Sequence, residues 1–305
     1  METKLFVIIV TYKGKQWYDR CFASLRESTV PVNTIVIDNA SNDGTVGYIK
    51  ENYPEIHLIA SDENLGFGRA NNIGMRYALD NDCDYVFLLN QDAWVEPDTF
   101  EKLVGIHQRH SEYGLLGPVQ VNAEKTKVLD GVIHFLVNPD NINIDMFSDL
   151  MMGTVDEVYP VAEINAAAWL LPRKTLETVG GFDPLFLHYG EDWNYLSRVL
   201  YHKMKVGLTP HIQVVHDCKE HVDRPKGYTM GFDKWLLIRS SDLLYPDSQA
   251  EDMMRQYRRI ALMKLLAFHK ATFKENWNAH KFLRKHSVDI ARSREQNKKV
   301  EPSWL

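Results

Sequence analysis

Four short runs of apolar residues, rich in Val, Ile and Leu, punctuate the first ninety positions: Leu5–Val10, Thr34–Ile37, Ile56–Ala60 and Tyr85–Leu89. They are nearly continuous rather than alternating with polar residues. Such runs must be covered on both faces, the condition of a strand inside a parallel sheet. Between them lie segments of helical spacing: Gln16–Arg26, with Trp17, Cys21 and Leu25 on one face, then Asp43–Tyr53 and Phe67–Leu79. Strands alternating with helices of this length predict βαβ units. Right-handed crossovers then select an α/β, Rossmann-like open sheet with helices on both faces.

After Gln91 the rhythm changes. Pro97–Gln108 predicts a helix, and Leu115–Val121 and Val128–Phe135 predict two strands joined by a turn. Asn138–Thr154 lacks periodicity and reads as a mobile loop. Glu163–Leu171 is a buried segment stopped by Pro172, Glu191–Tyr201 a helix, and Gln213–Val215 a short strand leading into His216. From Tyr228 onward only two or three helices are expected.

Composition removes several classes. Hydrophobic residues at 45% of the chain exclude wholesale disorder. Three cysteines cannot make a disulfide framework and suit reduced thiols in a cytosolic setting. No run approaches the roughly 18 apolar residues of a membrane span. Met1–Tyr12 lacks the features of a signal peptide, so none is expected. The net charge of −6 hides a division: between Met253 and Lys299 stand thirteen Lys/Arg against three Asp/Glu. The remainder is strongly acidic, which argues against nucleic acid as its partner. The basic tail suits either an anionic partner or a solvated helical face.

In an open α/β sheet, ligands bind outside the carboxyl ends of the strands. Here those ends carry Thr11-Tyr12, Asp38-Asn39-Ala40-Ser41-Asn42-Asp43-Gly44, the Asn64–Asn72 segment, and Asn90-Gln91-Asp92. Ser41 and Asp43 are also good helix caps, and Gly66 and Gly68 good turn residues. Capping does not account for Asp38 or Asp92. Asp92, flanked by Asn90, offers oxygen ligands suited to Mg²⁺ or Mn²⁺, which use one or two carboxylates plus substrate phosphates. His216 follows another apolar strand and is either a further ligand or a structural histidine. Glu191-Asp192-Trp193 opens a helix. The acids there are either favourable to the helix dipole or a general base, with an aromatic ring beside it for a sugar face. The first turn, Tyr12–Lys15, has neither a Gly-x-Gly nor a P-loop, which argues against NAD and against that class of NTPase.

Taken together, Val7-Ile8-Ile9-Val10-Thr11-Tyr12, Ile35–Thr45, Asn64–Asn72, Leu88–Asp92, Gly180-Gly181-Phe182-Asp183 and Tyr189-Gly190-Glu191-Asp192 resemble the ordered motifs of family-two glycosyltransferases, rhamnosyltransferase-like branch. The resemblance spans roughly residues 4–220. It implies a GT-A fold: an open mixed sheet flanked by helices, with a C-terminal helical extension. Residues 1–227 would be catalytic, with 1–92 the nucleotide-binding half and 93–227 the acceptor half, and 228–305 would be helical. The implied activity is inverting transfer from a nucleotide-diphosphate sugar (dTDP-rhamnose or a UDP-sugar) to a glycan or lipid-linked glycan in surface polysaccharide synthesis. Mn²⁺ or Mg²⁺ would serve as cofactor. The resemblance assigns Thr11 and Asp38 to the nucleoside and Arg69 and Asn72 to the base and ribose. Tyr12, Asn39, Asn64, Gly66, Asn90 and Gln91 complete the nucleotide set. Asp92 stands at the family's DXD position, His216 at its later metal ligand, and Asp192 at its general base beside Glu191. Trp169 and Trp193 would face acceptor or sugar. Asn90 replaces the first DXD acid, Asn194 stands where many relatives carry Asp, and Asp217-Cys218 after His216 departs from the usual pattern. Such an enzyme is expected in the cytoplasm at the inner face of the membrane, with the basic tail as a peripheral contact. The alternatives are a non-catalytic nucleotide-sugar-binding protein and a sugar nucleotidylyltransferase. The second needs a Gly-rich loop after the first strand, which Lys13–Lys15 does not provide.

Overall fold

The computed structural model describes residues 3–137, 144–187, 189–217 and 231–305. Strands β1 (Leu5–Thr11), β2 (Val32–Asp38), β3 (His57–Ala60) and β4 (Tyr85–Asn90) pair in parallel in the order β3-β2-β1-β4. Helices α1 (Lys15–Arg26), α2 (Thr45–Asn52) and α3 (Gly66–Asp80) make the crossovers. The two-residue period of the strands sorts their side chains into two cores. Phe6, Ile8, Ile35 and Leu88 pack with Ala70, Met75 and Ala78 of α3. Val7, Ile9, Val36 and Leu89 pack with Tyr18 and Phe22 of α1 on the other face. Gly74 lets α3 lie close on the sheet, since a Cβ there would stand 2.5 Å from the Ile8 side chain.

The second half completes a mixed sheet. In chain order it contains β5 (Ala93–Val95), α4 (Thr99–Arg109), β6 (Tyr113–Val121), α5 (Asp130–Val137), α6 (Ile144–Met152), β7 (Tyr159–Pro160), β8 (Ala168–Pro172), α7 (Arg173–Thr178), α8 (Glu191–Tyr201) and β9 (Lys205–His216). The order runs β3-β2-β1-β4-β8-β6-β9-β5, with β7 also on β9. β8 is antiparallel to both neighbours. Three helices follow: α9 (Phe232–Ser241), α10 (Gln249–Leu266) and α11 (Lys270–Asn297).

Several expectations are corrected. Val128–Phe135 is not a strand: Val128 makes one isolated bridge to Val121, and the chain then turns into α5. A short apolar run does not distinguish strand from helix by periodicity. Within the expected loop Asn138–Thr154, Ile144–Met152 is helical with only Met146 buried, and residues 138–143 lie outside the described residues. The short strand at Gln213–Val215 is the end of twelve-residue β9. Its pairing with β6 jumps from Thr209↔Pro118 to Gln213↔Val119, a bulge at Pro210 that interrupts the hydrophobic pattern.

Candidate active site

Parallel register aligns the carboxyl ends: Thr11 lies opposite Asp38, and Val10 opposite Asn90. After Asp92 the chain turns into β5, where Ala93 pairs with His216 of β9. This brings His216 beside the Asn90–Asp92 turn. Its Nε2 is 3.4 Å from Asp92 Oδ1 and 3.4 Å from Asn90 Nδ2. Gln120 of β6, wholly buried, donates from Nε2 to the Asn165 carbonyl at 3.1 Å. Its Oε1 therefore accepts from His216 Nδ1–H at 3.1 Å. That bond holds the tautomer whose Nε2 lone pair faces Asp92. In that tautomer Nε2 can accept from Asn90 Nδ2, and the imidazole nitrogen and the Asp92 carboxylate are both ligand types that a divalent cation takes. Cis ligands of an octahedral ion with bonds of about 2.0–2.1 Å sit about 3 Å apart. Among the described residues no three His, Cys, Asp or Glu side chains group to hold a metal. Asp92 and His216 thus fit a cation completed by substrate phosphates and water. Gln120 carried no signal in the sequence: an amide inside a hydrophobic strand becomes informative only once its partner is known.

The other strand-end amides bond the backbone around the site. Gln91 spans the Tyr12 backbone, accepting from its N–H at 2.9 Å and donating to its carbonyl at 3.1 Å. Asn39 accepts from Leu65 N–H and donates to the Gly66 carbonyl, both at 3.0 Å. Asn72 accepts from Phe182 N–H at 2.7 Å and donates to its carbonyl at 2.8 Å. All three amides bond backbone groups and so hold the loops at the strand ends in shape. Asn64 closes a local turn onto Gly66 N–H, and Gly66 has a φ of +77° that favours glycine. Asp38 is buried, accepting from Thr11 Oγ1 at 3.0 Å, from Ser41 Oγ, and from Ser41 N–H at 3.1 Å. Thr11 is equally buried, so this pair forms the floor and exposed Tyr12 the rim. Arg69, expected at base and ribose, lines a groove against α11 with Asp183, His286, Asp289 and Arg292.

Glu191 and Asp192 begin α8 after a strained turn in which Tyr189 has φ +63° and Gly190 φ +101°. A side chain at Gly190 would also strike Ile238 of α9. Burial pushes the Glu191 carboxyl up to about 7 and also raises Asp192. Asp192 Oδ1 accepts from Trp193 N–H at 2.9 Å. Trp193 is half-buried at the same helix start. Glu191 packs beside Gly68 and Phe182 at the start of α3, and its Oε2 has no hydrogen-bond partner among the described residues.

The segment leading to these acids is held from several sides. Arg198 of α8, fully buried, donates to the carbonyls of Gly181 (2.6 Å) and Val179. Asp183 accepts from Leu185 N–H, and from Ser293 and Asn297 of α11 at 2.5 and 2.7 Å. The Ser303 carbonyl accepts from Gly181 N–H at 2.8 Å, so closely that a Cβ on Gly180 would overlap it. The C-terminal helices therefore brace the site. Trp169, expected to face acceptor or sugar, is instead completely buried in β8, stacked on Phe182 with centroids 6.2 Å apart. Its place in a strand between β4 and β6 makes it a wall of the core.

Residues 6–154 match the family model Glycosyl transferase family 2. The chain is 27% identical over 220 residues to the N-acetylglucosaminyl-diphospho-decaprenol L-rhamnosyltransferase of Mycobacterium tuberculosis, covering 65% of this chain and 71% of that one. It is 22% identical over 218 residues to the dTDP-rhamnosyl transferase RfbF of Shigella flexneri, covering 71% and 70%. Among solved structures it resembles S. aureus TarS in complex with UDP-GlcNAc (TM-score 0.57, 13% identity, 96% of this chain and 91% of that one). It also resembles the mannosyltransferase PcManGT of Pyrobaculum calidifontis in complex with GDP-Man and Mn²⁺ (TM-score 0.54, 16% identity, 97% and 74%). The fold is that of the GT-A enzymes.

Proposed function

The chain belongs to family 2 of the glycosyltransferases, and from that premise we propose an inverting transfer from a nucleotide-diphosphate sugar to a glycan or lipid-linked glycan, at the cytoplasmic side of a membrane. The observation that carries it is the His216–Asp92 pair, 3.4 Å apart and oriented by Gln120, on the edge where the strands end. Asp92 and His216 would hold Mn²⁺ or Mg²⁺, and Asn90 would complete the polar wall. The cation would neutralise charge on the departing diphosphate. Asp192 takes the proton of the acceptor hydroxyl as that oxygen attacks the anomeric carbon from the face opposite the diphosphate. The new C–O bond forms as the bond to the diphosphate breaks, and the configuration inverts. Burial that raises the proton affinity of Asp192 makes its ionised form a stronger base. The names of the relatives favour a dTDP-rhamnose donor and an acceptor carried on a lipid diphosphate, and the UDP-GlcNAc complex of the structural neighbour TarS keeps a UDP-sugar as the other donor.

Glu191 is a second candidate base, favoured by its raised proton affinity and its unbonded oxygen. Calorimetric titration with UDP and dTDP tests the donor site. Affinity is expected to fall on adding EDTA and in Asp92→Ala. Unchanged binding in both would remove Asp92 and the cation from the reading.

A further inference from the structure

Helices α10 and α11 form an antiparallel hairpin that α9 packs against as far as Tyr257 and Ala279, leaving the apex beyond them uncovered by α9. Ser293 and Asn297, near the end of α11, bond Asp183, while Arg294 bonds the Asp242 and Tyr245 carbonyls. From Ser293 back to Lys270 the helix runs about 35 Å at 1.5 Å per residue. The apex therefore stands well away from the site.

Its chemistry is unlike the rest of the hairpin. Leu262, Met263, Leu265, Leu266 and Phe268 are all exposed, Leu266 by 80% and Phe268 by 88%. The turn is a Schellman motif: His269 N–H donates to the Lys264 carbonyl and Phe268 N–H to the Leu265 carbonyl. The residue at its left-handed position is ordinarily glycine, yet here it is Phe268 at φ +58°. A bulky aromatic in that conformation, packed on little, is not there to stabilise the turn. Around it, residues 257–274 carry Arg258, Arg259, Lys264, Lys270 and Lys274 and no acid. Among the described residues none of these five makes an ion pair.

We propose that the α10–α11 apex is a docking wedge for an anionic lipid bilayer, with Phe268 and Leu266 entering the headgroup–acyl boundary and the five cations lying on the headgroups. Exposed apolar tips ringed by cations suit that interface. A second copy of the chain is the poorer partner, because a two-fold contact would set five like charges against five. Each cation near such a surface multiplies partitioning by about fivefold, and burying Phe268 by about tenfold or more.

Co-sedimentation of the full chain with vesicles tests this without donor or acceptor, so its outcome is independent of the transfer reading. Vesicles of equal phosphatidylcholine and phosphatidylglycerol should retain the protein at about 0.1 M salt and release it near 1 M. Phosphatidylcholine alone should not retain it. Phe268→Gly relieves the left-handed strain, so its Tm should match or exceed wild type while partitioning falls about tenfold or more. Lys264→Glu/Lys270→Glu should weaken retention further. Equal retention by neutral vesicles, or undiminished retention of Phe268→Gly, would overturn the proposal. So would a dimer in sedimentation velocity that Phe268→Gly dissolves.

Discussion

Replacing Glu191 with Gln should change how stability depends on pH more than it changes stability itself. Glu191 is 8% exposed, packed beside Gly68 and Phe182, and burial raises its carboxyl to about 7 against an ordinary 4.5. A carboxyl raised on folding binds its proton more tightly in the native state. Its contribution is fully present below about pH 4.5 and is lost as pH rises toward about 7. Integrated over that interval the loss is about 3 kcal/mol, most of which falls between about pH 5 and about pH 8. Gln keeps the shape and cannot ionise, and its own unpaired amide costs the same at every pH. Urea unfolding of both proteins at the two pH values gives the difference directly. Glu191→Gln should gain about 2–3 kcal/mol on wild type between them. Parallel stability curves would show that Glu191 is ionised and solvated in the fold, and the argument from burial would fail.

Gln120→Leu should weaken Mn²⁺ binding by about tenfold to a hundredfold in EPR titrations with UDP present, while Gln120→Glu, which still accepts from His216 Nδ1–H, should retain most of it. Equal affinities would mean that Gln120 only fills space. Asp183→Ala should cost about 3 kcal/mol in urea unfolding, because it strands the buried Ser293 and Asn297 donors. A loss below about 1 kcal/mol would mean that α11 is not held through this carboxylate.

The first four strands and their helices could be read from the sequence because the information is local. Continuous apolar runs name buried strands, and the topology of such a sheet places their polar ends together. The second half resisted for stated reasons. The bulge at Pro210 broke the pattern of β9, and α5 begins with an apolar run short enough to be a strand. Within the site, residue type does not show which partner a side chain takes. Asn39, Asn72 and Gln91 sit at motif positions but spend their amides on backbone partners. Trp169 has the ring of a sugar platform and the burial of a core residue. The bracing of Asp183 by Ser293 and Asn297 joins residues 110 and 114 positions apart, beyond any local pattern.

In the proposed mechanism proton transfer and charge neutralisation lie on separate elements, Asp192 at the start of α8 and Asp92 in the turn after β4. Single-turnover transfer by Asp192→Asn, measured beside calorimetric donor binding, tests it most directly. Turnover should be lower by about 10²–10⁴ with donor affinity nearly unchanged. Turnover near wild type would contradict it and pass the role to Glu191.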